Sequence, residues 1–361
     1  MNKKHGRSSP KKRPQSSRFA NDATQRPPTS LSSNPSLSVA DEHHAMPKDK
    51  QSVLHLLERA FARRHAFGAL SGTDIRRWVH GEADGLPGLV VESYAQCARL
   101  ELKDARYIPW VDAIGKKLIV LGMSGVVFVH RTGKKAEVRP LVGECPRGIV
   151  AYERGGRFFV RLIEGDAVGT GIFVDLREGR EQAERYAKGR PFLNLFAHAG
   201  AYGVAALRGG ASRIDHVDSG KKTASWAALN LALNGGDPRA HRFIIDDAFD
   251  FLERAGRRGP TYGFIACDPP TTALRPKGKR FLVRESLPVL AADSCRALLP
   301  DGHLLLTCND RSLTTQDVDR AAREAAKEAG RDVKRVVPLT LPADLPKGGD
   351  VPVRGVLLSV K

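Results

Sequence analysis

Residues 190–218 read Arg190-Pro-Phe-Leu-Asn194-Leu-Phe196-Ala-His198-Ala-Gly200-Ala-Tyr-Gly203-Val-Ala-Ala-Leu-Arg-Gly-Gly-Ala-Ser-Arg213-Ile-Asp-His-Val-Asp218. A short apolar run, a glycine turn, a helical stretch and a second apolar run ending in an acid predict strand, loop, helix, strand. The pattern continues downstream. Helices are predicted over Ala224–Leu233, Asp247–Arg254 and near Val289–Leu299, and strands over His241–Ile245, Tyr262–Cys267 and His303–Thr307. Strand–helix alternation with short connections predicts an α/β fold with a parallel sheet covered on both faces. In open sheets of this kind ligands bind beyond the carboxyl ends of the strands, so the chemistry belongs to residues just after each strand.

After the first strand, Gly200 allows a sharp turn and a close backbone approach to a ligand, while Gly203 suits close packing of the next helix. The second strand ends in Asp218-Ser219, eighteen residues after Gly200. An acid there can accept both hydroxyls of a ribose, or Asp218 or Ser219 can cap the following helix. After the third strand, Asp247 and Ala248 either meet an exocyclic amine such as adenine's or open a helix. The fourth strand ends in Cys267-Asp268-Pro269-Pro270. The prolines stop the strand and remove N–H donors, which leaves the Asp268 carboxylate at the sheet rim. Cys267 points to the opposite face and belongs to the core. Arg275, Lys277, Lys279 and Arg280 follow as a basic loop, suited to a phosphodiester substrate or simply solvated.

In their order, the Asn-Leu-Phe…Gly, Val-Asp-Ser, Asn230…Leu233-Asn234-Gly235, Asp-Ala-Phe and Asp-Pro-Pro segments resemble class I S-adenosylmethionine-dependent methyltransferases. Within that class the chain is similar to the large-subunit (23S) ribosomal RNA enzymes of the cytosine-C5 (type I) and guanine-N7 (type K/L) branches. Upstream, Thr170-Gly-Ile-Phe173-Val-Asp175-Leu-Arg177-Glu-Gly-Arg180 resembles their Thr-Gly-Phe-Phe-Leu-Asp-Gln-Arg segment. Glu82-Ala-Asp-Gly-Leu-Pro-Gly-Leu-Val-Val91 is similar to the small domain preceding it in the cytosine members. Two positions depart: Leu176 replaces a polar residue, and His198 stands where Tyr is usual. The resemblance implies a Rossmann-like methyltransferase sheet with S-adenosylmethionine as cofactor. The methionine end would lie near Asp175 and the Phe196–Gly200 loop with Ala197 and His198, the ribose at Asp218 and the adenine at Asp247, with Phe173, Arg177, Asn194, Ser219, Ala248 and Asp268 also among the cofactor contacts. Asp268, Pro269 and Pro270 would hold the base being methylated.

Which base is left open. Carbon-5 of cytosine needs a cysteine thiolate to add at carbon-6, and Cys308 in Thr307-Cys308-Asn309-Asp310-Arg311 is placed for that role. The residues after Cys308, however, resemble the Ser-Asn-Asn-Lys stretch of guanine-N7 relatives, as does Asp-Pro-Pro-Thr271. A buried structural thiol is the third reading.

The upstream half changes character. Val53, Leu54, Leu57 and Phe61 share a helical face; residues 88–103 read as a hairpin turning at Ala95-Gln96. A helix near Pro109–Leu121 and strands at Val126–His130, Ile149–Tyr152 and Phe158–Leu162 complete a small α+β domain over 51–165, with the methyltransferase domain over 166–361. Residues 1–50 carry ten Lys or Arg against four Asp or Glu among Ser, Pro, Gln and Asn. Such a segment cannot offset its own ordering entropy and is predicted to be a disordered basic arm. It either adds phosphate contacts or only solubilises.

The whole chain of 361 residues has a formal charge of +18, so the remainder is basic too, and RNA is the expected partner. No run approaches the roughly 18 apolar residues of a membrane span, no secretory signal opens the chain, and five scattered cysteines fit a reducing, cytoplasmic setting. Cys97, Cys145 and Cys295 lack metal-ligand spacing, and no metal is expected. Competing readings are a nucleotide-dependent oxidoreductase, which should carry the missing GxGxxG, a methyltransferase of a non-RNA acceptor, and an RNA-binding relative without catalysis.

Overall fold

A computed structural model of the chain describes residues 46–66, 72–132, 135–163, 169–275, 280–346, 348 and 353–361. The expected basic arm lies outside these residues up to position 45, and its last residue, Lys50, is already the first of a helix. The expected boundary between 165 and 166 also falls outside them.

The first part runs α1 (Lys50–Ala66), β1 (Arg76–His80), β2 (Leu89–Tyr94), β3 (Cys97–Leu102), α2 (Val111–Val120), β4 (Gly125–Thr132) and β5 (Lys135–Gly143). The strands form one sheet in the order β1-β2-β3-β4-β5. All pairs are antiparallel except β3 with β4, and α2 supplies the crossover that a parallel pair requires. The β2–β3 turn falls at the expected Ala95-Gln96, with Ala95 at φ 51°. Both helices cover one face, where Leu57, Phe61, Trp78, Leu100, Ile114 and Phe128 form the core. Strands β1 and β5 escaped the sequence reading: Arg-Arg-Trp-Val-His barely alternates, and β5 carries Pro140 among charged residues.

A hairpin of β6 (Gly148–Glu153) and β7 (Gly156–Arg161) follows. Its Phe158 and Val160 join Tyr94, Val127 and Val129 from the other face of the five-stranded sheet, together with Ile172 and Val174. The rest of the chain is α3 (Arg177–Tyr186), β8 (Pro191–Leu195), α4 (Ala201–Arg208), β9 (Arg213–Asp218), α5 (Lys221–Leu233), β10 (Arg242–Ile245), α6 (Ala248–Arg258), β11 (Tyr262–Cys267), β12 (Thr272–Leu274), β13 (Arg280–Leu282), α7 (Val283–Ala297), β14 (Leu298–Cys308), α8 (Thr315–Glu328), β15 (Val333–Pro338) and β16 (Arg354–Val360).

Seven strands form the large sheet in the order β10-β9-β8-β11-β14-β16-β15. The five expected strands, β10, β9, β8, β11 and β14, pair in parallel; β15 runs the same way, and β16 between β14 and β15 is antiparallel to both. Strands β15 and β16 were not among the expected ones; β16 follows β15 with no helical crossover among the described residues and returns antiparallel. Apolar cores lie on both faces of this sheet, one against α6, α7 and α8 and one against α3, α4 and α5. Sequence order reverses between β8 and β11, so the crevice of this fold lies beyond their carboxyl ends.

Candidate active site

Register fixes the rim. Leu195 pairs with Val217 and Cys267, Cys267 with Leu306, and Ile245 with Asp218. The residues that follow these strands therefore share one edge, and Gly200, Asp218, Asp247 and Asp268 all belong to it.

The loop after β8 is held in an unusual shape. Phe196, His198 and Gly200 have φ of 54°, 46° and 80°, a left-handed region that only glycine adopts freely. Two ordinary residues held there mark a clamp of the kind found at ligand sites. Its ties are identifiable: Ala197 N–H donates to the Val217 carbonyl at 3.0 Å, and Asn230 Nδ2 donates to the Ala199 carbonyl at 2.8 Å. Gly200 is required by packing too, because a Cβ there would lie 2.8 Å from the Ala227 Cβ. At Gly203 a Cβ would meet the His216 ring at 2.1 Å. His216 is buried and pushed down to about 3 by that burial and by neighbouring His241, so it stays neutral. Asn194 Nδ2 lies 3.3 Å from its Nδ1. Asn194 is thus buried inside β8, and its side chain serves this internal contact instead of the expected cofactor end.

Asp218 closes β9. Its Oδ2 accepts from the His198 N–H at 2.8 Å, and its Oδ1 accepts from the Gly220 N–H at 2.9 Å and the Thr223 hydroxyl at 2.7 Å. The carboxylate therefore sets the β8 loop and the start of α5 at once, and Oδ2 keeps a lone pair. Neighbouring Ser219 is exposed.

Asp247 caps α6, with Oδ1 accepting from the Phe249 and Asp250 N–H groups at 3.0 and 3.2 Å. It also takes a two-pronged bond from Arg275, Nε to Oδ2 at 2.9 Å and Nη2 to Oδ1 at 2.7 Å. The Arg275 guanidinium lies 4.0 Å over the Phe249 ring. Arg275, expected to meet RNA, is instead tied to the rim acid, while Ala248 is buried as the first residue of α6. Arg280 is exposed at the start of β13. Lys277 and Lys279 lie outside the described residues.

At the end of β11, Asp268 Oδ1 accepts from the Thr307 hydroxyl at 2.5 Å. Thr271 Oγ1 donates to the Asn309 carbonyl at 3.2 Å, so the Asp-Pro-Pro-Thr turn is fastened twice to the end of β14. Pro269 is buried and Pro270 exposed. Burial and the nearby Asp175 carboxylate push the Asp268 carboxyl up to about 6, against the Thr307 bond and Arg180, which favour its charged form. Asp175 is itself raised by burial and Glu92, opposed by Arg77. Phe173 is 42% exposed beside it, its ring 5.7 Å from that of His198. Arg177 departs from expectation. Its guanidinium donates to Glu153 at 2.9 Å, to Asp344 at 2.5 Å and to the Ile75 carbonyl at 2.8 Å, so it ties segments together and has little left for a cofactor.

Of the three readings left open for Cys308, its place in the fold fits the buried structural thiol. Alternation along β14 turns Thr307 to Asp268 and Cys308 to the opposite face, where it is 0% exposed in the core against α7 and α8. Burial raises its thiol, with only the Asp310 N–H, 3.4 Å from Sγ, and Arg354 favouring a thiolate. A catalytic nucleophile needs exposure and thiolate character, and Cys308 as folded has neither. Cys267 is buried in the same core, as expected.

The rim carries carboxylates at Asp218, Asp247 and Asp268, and Asp175 acts electrostatically on Asp268. Such a set fits a cation carrying an ammonium, a sulfonium, a ribose diol and an aromatic amine. Thr223 was not singled out from the sequence, and Asn230 and Thr307, quoted there only within motifs, take positioning roles that act through helix phase and strand register.

Comparison with known proteins agrees with this reading. A profile of the family described as S-adenosylmethionine-dependent methyltransferase matches residues 110–353. A "Ribosomal RNA large subunit methyltransferase" of Deinococcus radiodurans is 29% identical over 283 residues, 74% of this chain and 69% of that protein. A "Ribosomal RNA large subunit methyltransferase I" of Photobacterium profundum is 30% identical over 239 residues, 62% of this chain and 60% of that protein. A methyltransferase crystallised with SAH superposes with a TM-score of 0.78 at 22% identity, covering 88% of this chain and 83% of that one, which shows the fold. No helix among the described residues is long and apolar enough to cross a membrane.

Proposed function

The chain belongs to the S-adenosylmethionine-dependent methyltransferases, and from that membership we propose that its acceptor is a base of large-subunit ribosomal RNA. S-Adenosylmethionine is the methyl donor, and when bound it supplies a methyl group already activated by a positive sulfur. What this chain must do is bind, orient and exclude water. Asp218 would take a ribose hydroxyl with the Oδ2 lone pair its loop contacts leave free. Asp175 and the clamped 196–200 loop hold the charged methionine end. At the rim, Asp268 and the carbonyls of a proline turn that offers no N–H donors accept from the base's own N–H groups. They would thereby hold the acceptor atom of the base toward the bound donor's methyl group.

One observation carries this reading: the Asp268-Pro-Pro turn, fastened to β14 by Thr307 and Thr271, stands on the same rim as the Asp218 loop. The ribosomal RNA relatives support the acceptor class. The burial of Cys308 favours an acceptor atom with its own lone pair, as at guanine N7. The type I relatives favour cytosine, where a thiol would have to reach the base. Nucleoside mass spectrometry of large-subunit RNA, from cells with and without the gene, tests both. The expected result is one methylated base lost on deletion, with 7-methylguanosine and 5-methylcytidine separating the two acceptors. Identical nucleoside profiles would overturn the proposal.

A further inference from the structure

Trp226, Asn230 and Asn234 recur every four residues along α5, so their side chains share one face, and that face grips the outer edge of β7. Arg157 N–H donates to Asn234 Oδ1 at 2.8 Å, and Asn234 Nδ2 donates back to the Arg157 carbonyl at 2.7 Å. One turn earlier in the helix, Asn230 Oδ1 accepts from the Phe159 N–H at 2.7 Å; one turn earlier again, Trp226 Nε1 donates to the Phe159 carbonyl at 2.8 Å. Four helical residues rise about 6 Å and two strand residues about 6.7 Å, so the helix serves β7 in place of a further strand. These bonds lay β7 antiparallel along α5. The strand therefore runs from Arg157 toward the first turn of the helix, where Gly220 and Thr223 donate to Asp218. Asn230 also holds the Ala199 carbonyl, so one side chain joins hairpin and rim loop.

Ala151, Phe158 and Val160 turn into the core, so alternation puts Gly148, Val150, Tyr152, Arg157, Phe159 and Arg161 on the hairpin's other face. Tyr152 stands in register with Arg157, near the hairpin turn. Phe159 follows, and a Cβ on Gly148 would lie 2.4 Å from its ring, so glycine there leaves the ring its place. The Arg161 guanidinium lies 4.2 Å over the Trp226 ring, which is 5.3 Å from the ring of His198 on the rim loop. Tyr152 is 41% exposed and Arg157 is exposed, as is Lys222, one turn before Trp226 on α5. Rings and cations thus alternate from the hairpin turn to the rim, and no carboxylate lies on that face of the hairpin. Cations take phosphates and exposed rings take unstacked bases, which is how single strands of nucleic acid are held. A duplex keeps its bases stacked inside and offers Tyr152 and Phe159 nothing to pair with.

We propose that this face of the β6–β7 hairpin is a track for a single strand of RNA leading to the rim, with Arg157 on a phosphate and Tyr152 and Phe159 stacked on bases flanking the one methylated. The track rests on the reading of the chain as a ribosomal RNA base methyltransferase. The test uses the full chain and its Arg157→Gln and Tyr152→Ala variants, which alter exposed side chains and leave the backbone bonds to α5 in place. Binding is read by fluorescence anisotropy at several salt concentrations, with a labelled RNA of about 12 nucleotides, single-stranded or annealed to its complement. Methyl transfer to unmodified large-subunit RNA transcribed in vitro, cofactor calorimetry and thermal unfolding accompany it. The expected result is tighter binding of the single strand than of the duplex. Arg157→Gln should lower the salt slope for the single strand by about 0.7. Tyr152→Ala should weaken that binding about 5- to 50-fold with the slope unchanged. In both, KM for RNA should rise while kcat and cofactor affinity stay within about twofold of the parent and the unfolding temperature is kept. Equal losses on the duplex would make the face a duplex site, and losses matched by a lower unfolding temperature would make it structural; either overturns the track. Parent-like variants on an RNA that the parent methylates would overturn the track alone. A parent chain that binds cofactor but methylates no RNA would overturn the acceptor reading and the track with it.

Discussion

In the seven-stranded sheet, Asp218, Asp247 and Asp268 each lie at or just past the end of a parallel strand, whereas in the five-stranded sheet Arg77, Glu92 and Arg99 lie within strands and meet only through register. Parallel strands joined by crossovers all end at one edge, so a polar residue just after an apolar run already has an address. A mixed sheet of hairpins brings its polar residues together on a face, and the address then depends on which strand pairs with which and in what register. Between the two sheets, beside the apolar cluster of Tyr94, Val127, Phe158, Ile172 and Val174, the β6–β7 hairpin is tied to α3 by ion pairs. Glu153 accepts from Arg177 at 2.9 Å and from Arg180 at 2.6 Å, and all three are buried.

Breaking that joint should have the largest effect. Glu153→Gln takes from buried Arg180 its carboxylate partner and leaves Arg177 with Asp344 alone, and loss of one member of a buried pair costs roughly 3–5 kcal/mol. Urea unfolding should show a lower midpoint; an unshifted one would mean that the two regions do not depend on this contact.

The rim comes next. Asp268→Asn should lower methyl transfer on the order of 10²–10³-fold, with cofactor affinity nearly unchanged. Because burial holds the Asp268 carboxyl up at about 6, parent activity should fall as pH drops through that value, and a pH–rate profile would read it. Stability moves the other way. A carboxyl whose folded value lies above its unfolded value of 3.8 favours folding when protonated, so the parent loses stability as pH rises from 3.8 to about 6. Asp268→Asn should escape that loss and unfold at a higher temperature than the parent at pH 7, but not at pH 3.5. Equal melting curves at pH 7 would show that the corner is not under this tension.

Asp218→Ala should weaken cofactor binding by roughly 1.5–3 kcal/mol per charge-assisted hydrogen bond lost. It also releases the His198 N–H, so Asp218→Asn, which keeps an acceptor, should lose less. Calorimetry that ranks the two variants equally would count against the ribose role. Smallest of all is Cys308→Ser. A hydroxyl in the Cys308 position of the core should cost about 1 kcal/mol and leave turnover within a few fold of the parent. Abolished turnover, or a covalent adduct on 5-fluorocytosine RNA, would show that the thiol leaves the core to act.

The sequence was legible where local pattern and position coincide. Gly200, Asp218 and Asp268-Pro-Pro could be placed on one rim because each ends an apolar run. It was not legible at Cys308, whose spacing suits a nucleophile, because only the alternation that turns Thr307 to Asp268 sends the thiol into the core. Arg275 was read as free for RNA, and its bond to Asp247 across 28 residues has no local signal. Arg177 sits in a motif resembling a cofactor segment, yet Glu153 and Asp344, far apart in sequence, hold it. Such pairings depend on tertiary closure, which neither periodicity nor composition encodes.

Incubating the purified chain with methyl-labelled S-adenosylmethionine and unmodified large-subunit RNA, beside its Asp268→Asn variant, tests the central claim most directly. The account predicts label on an RNA base with the parent and almost none with a variant that still binds cofactor. RNA left unlabelled by the parent, or labelled as fast by the variant, would contradict it.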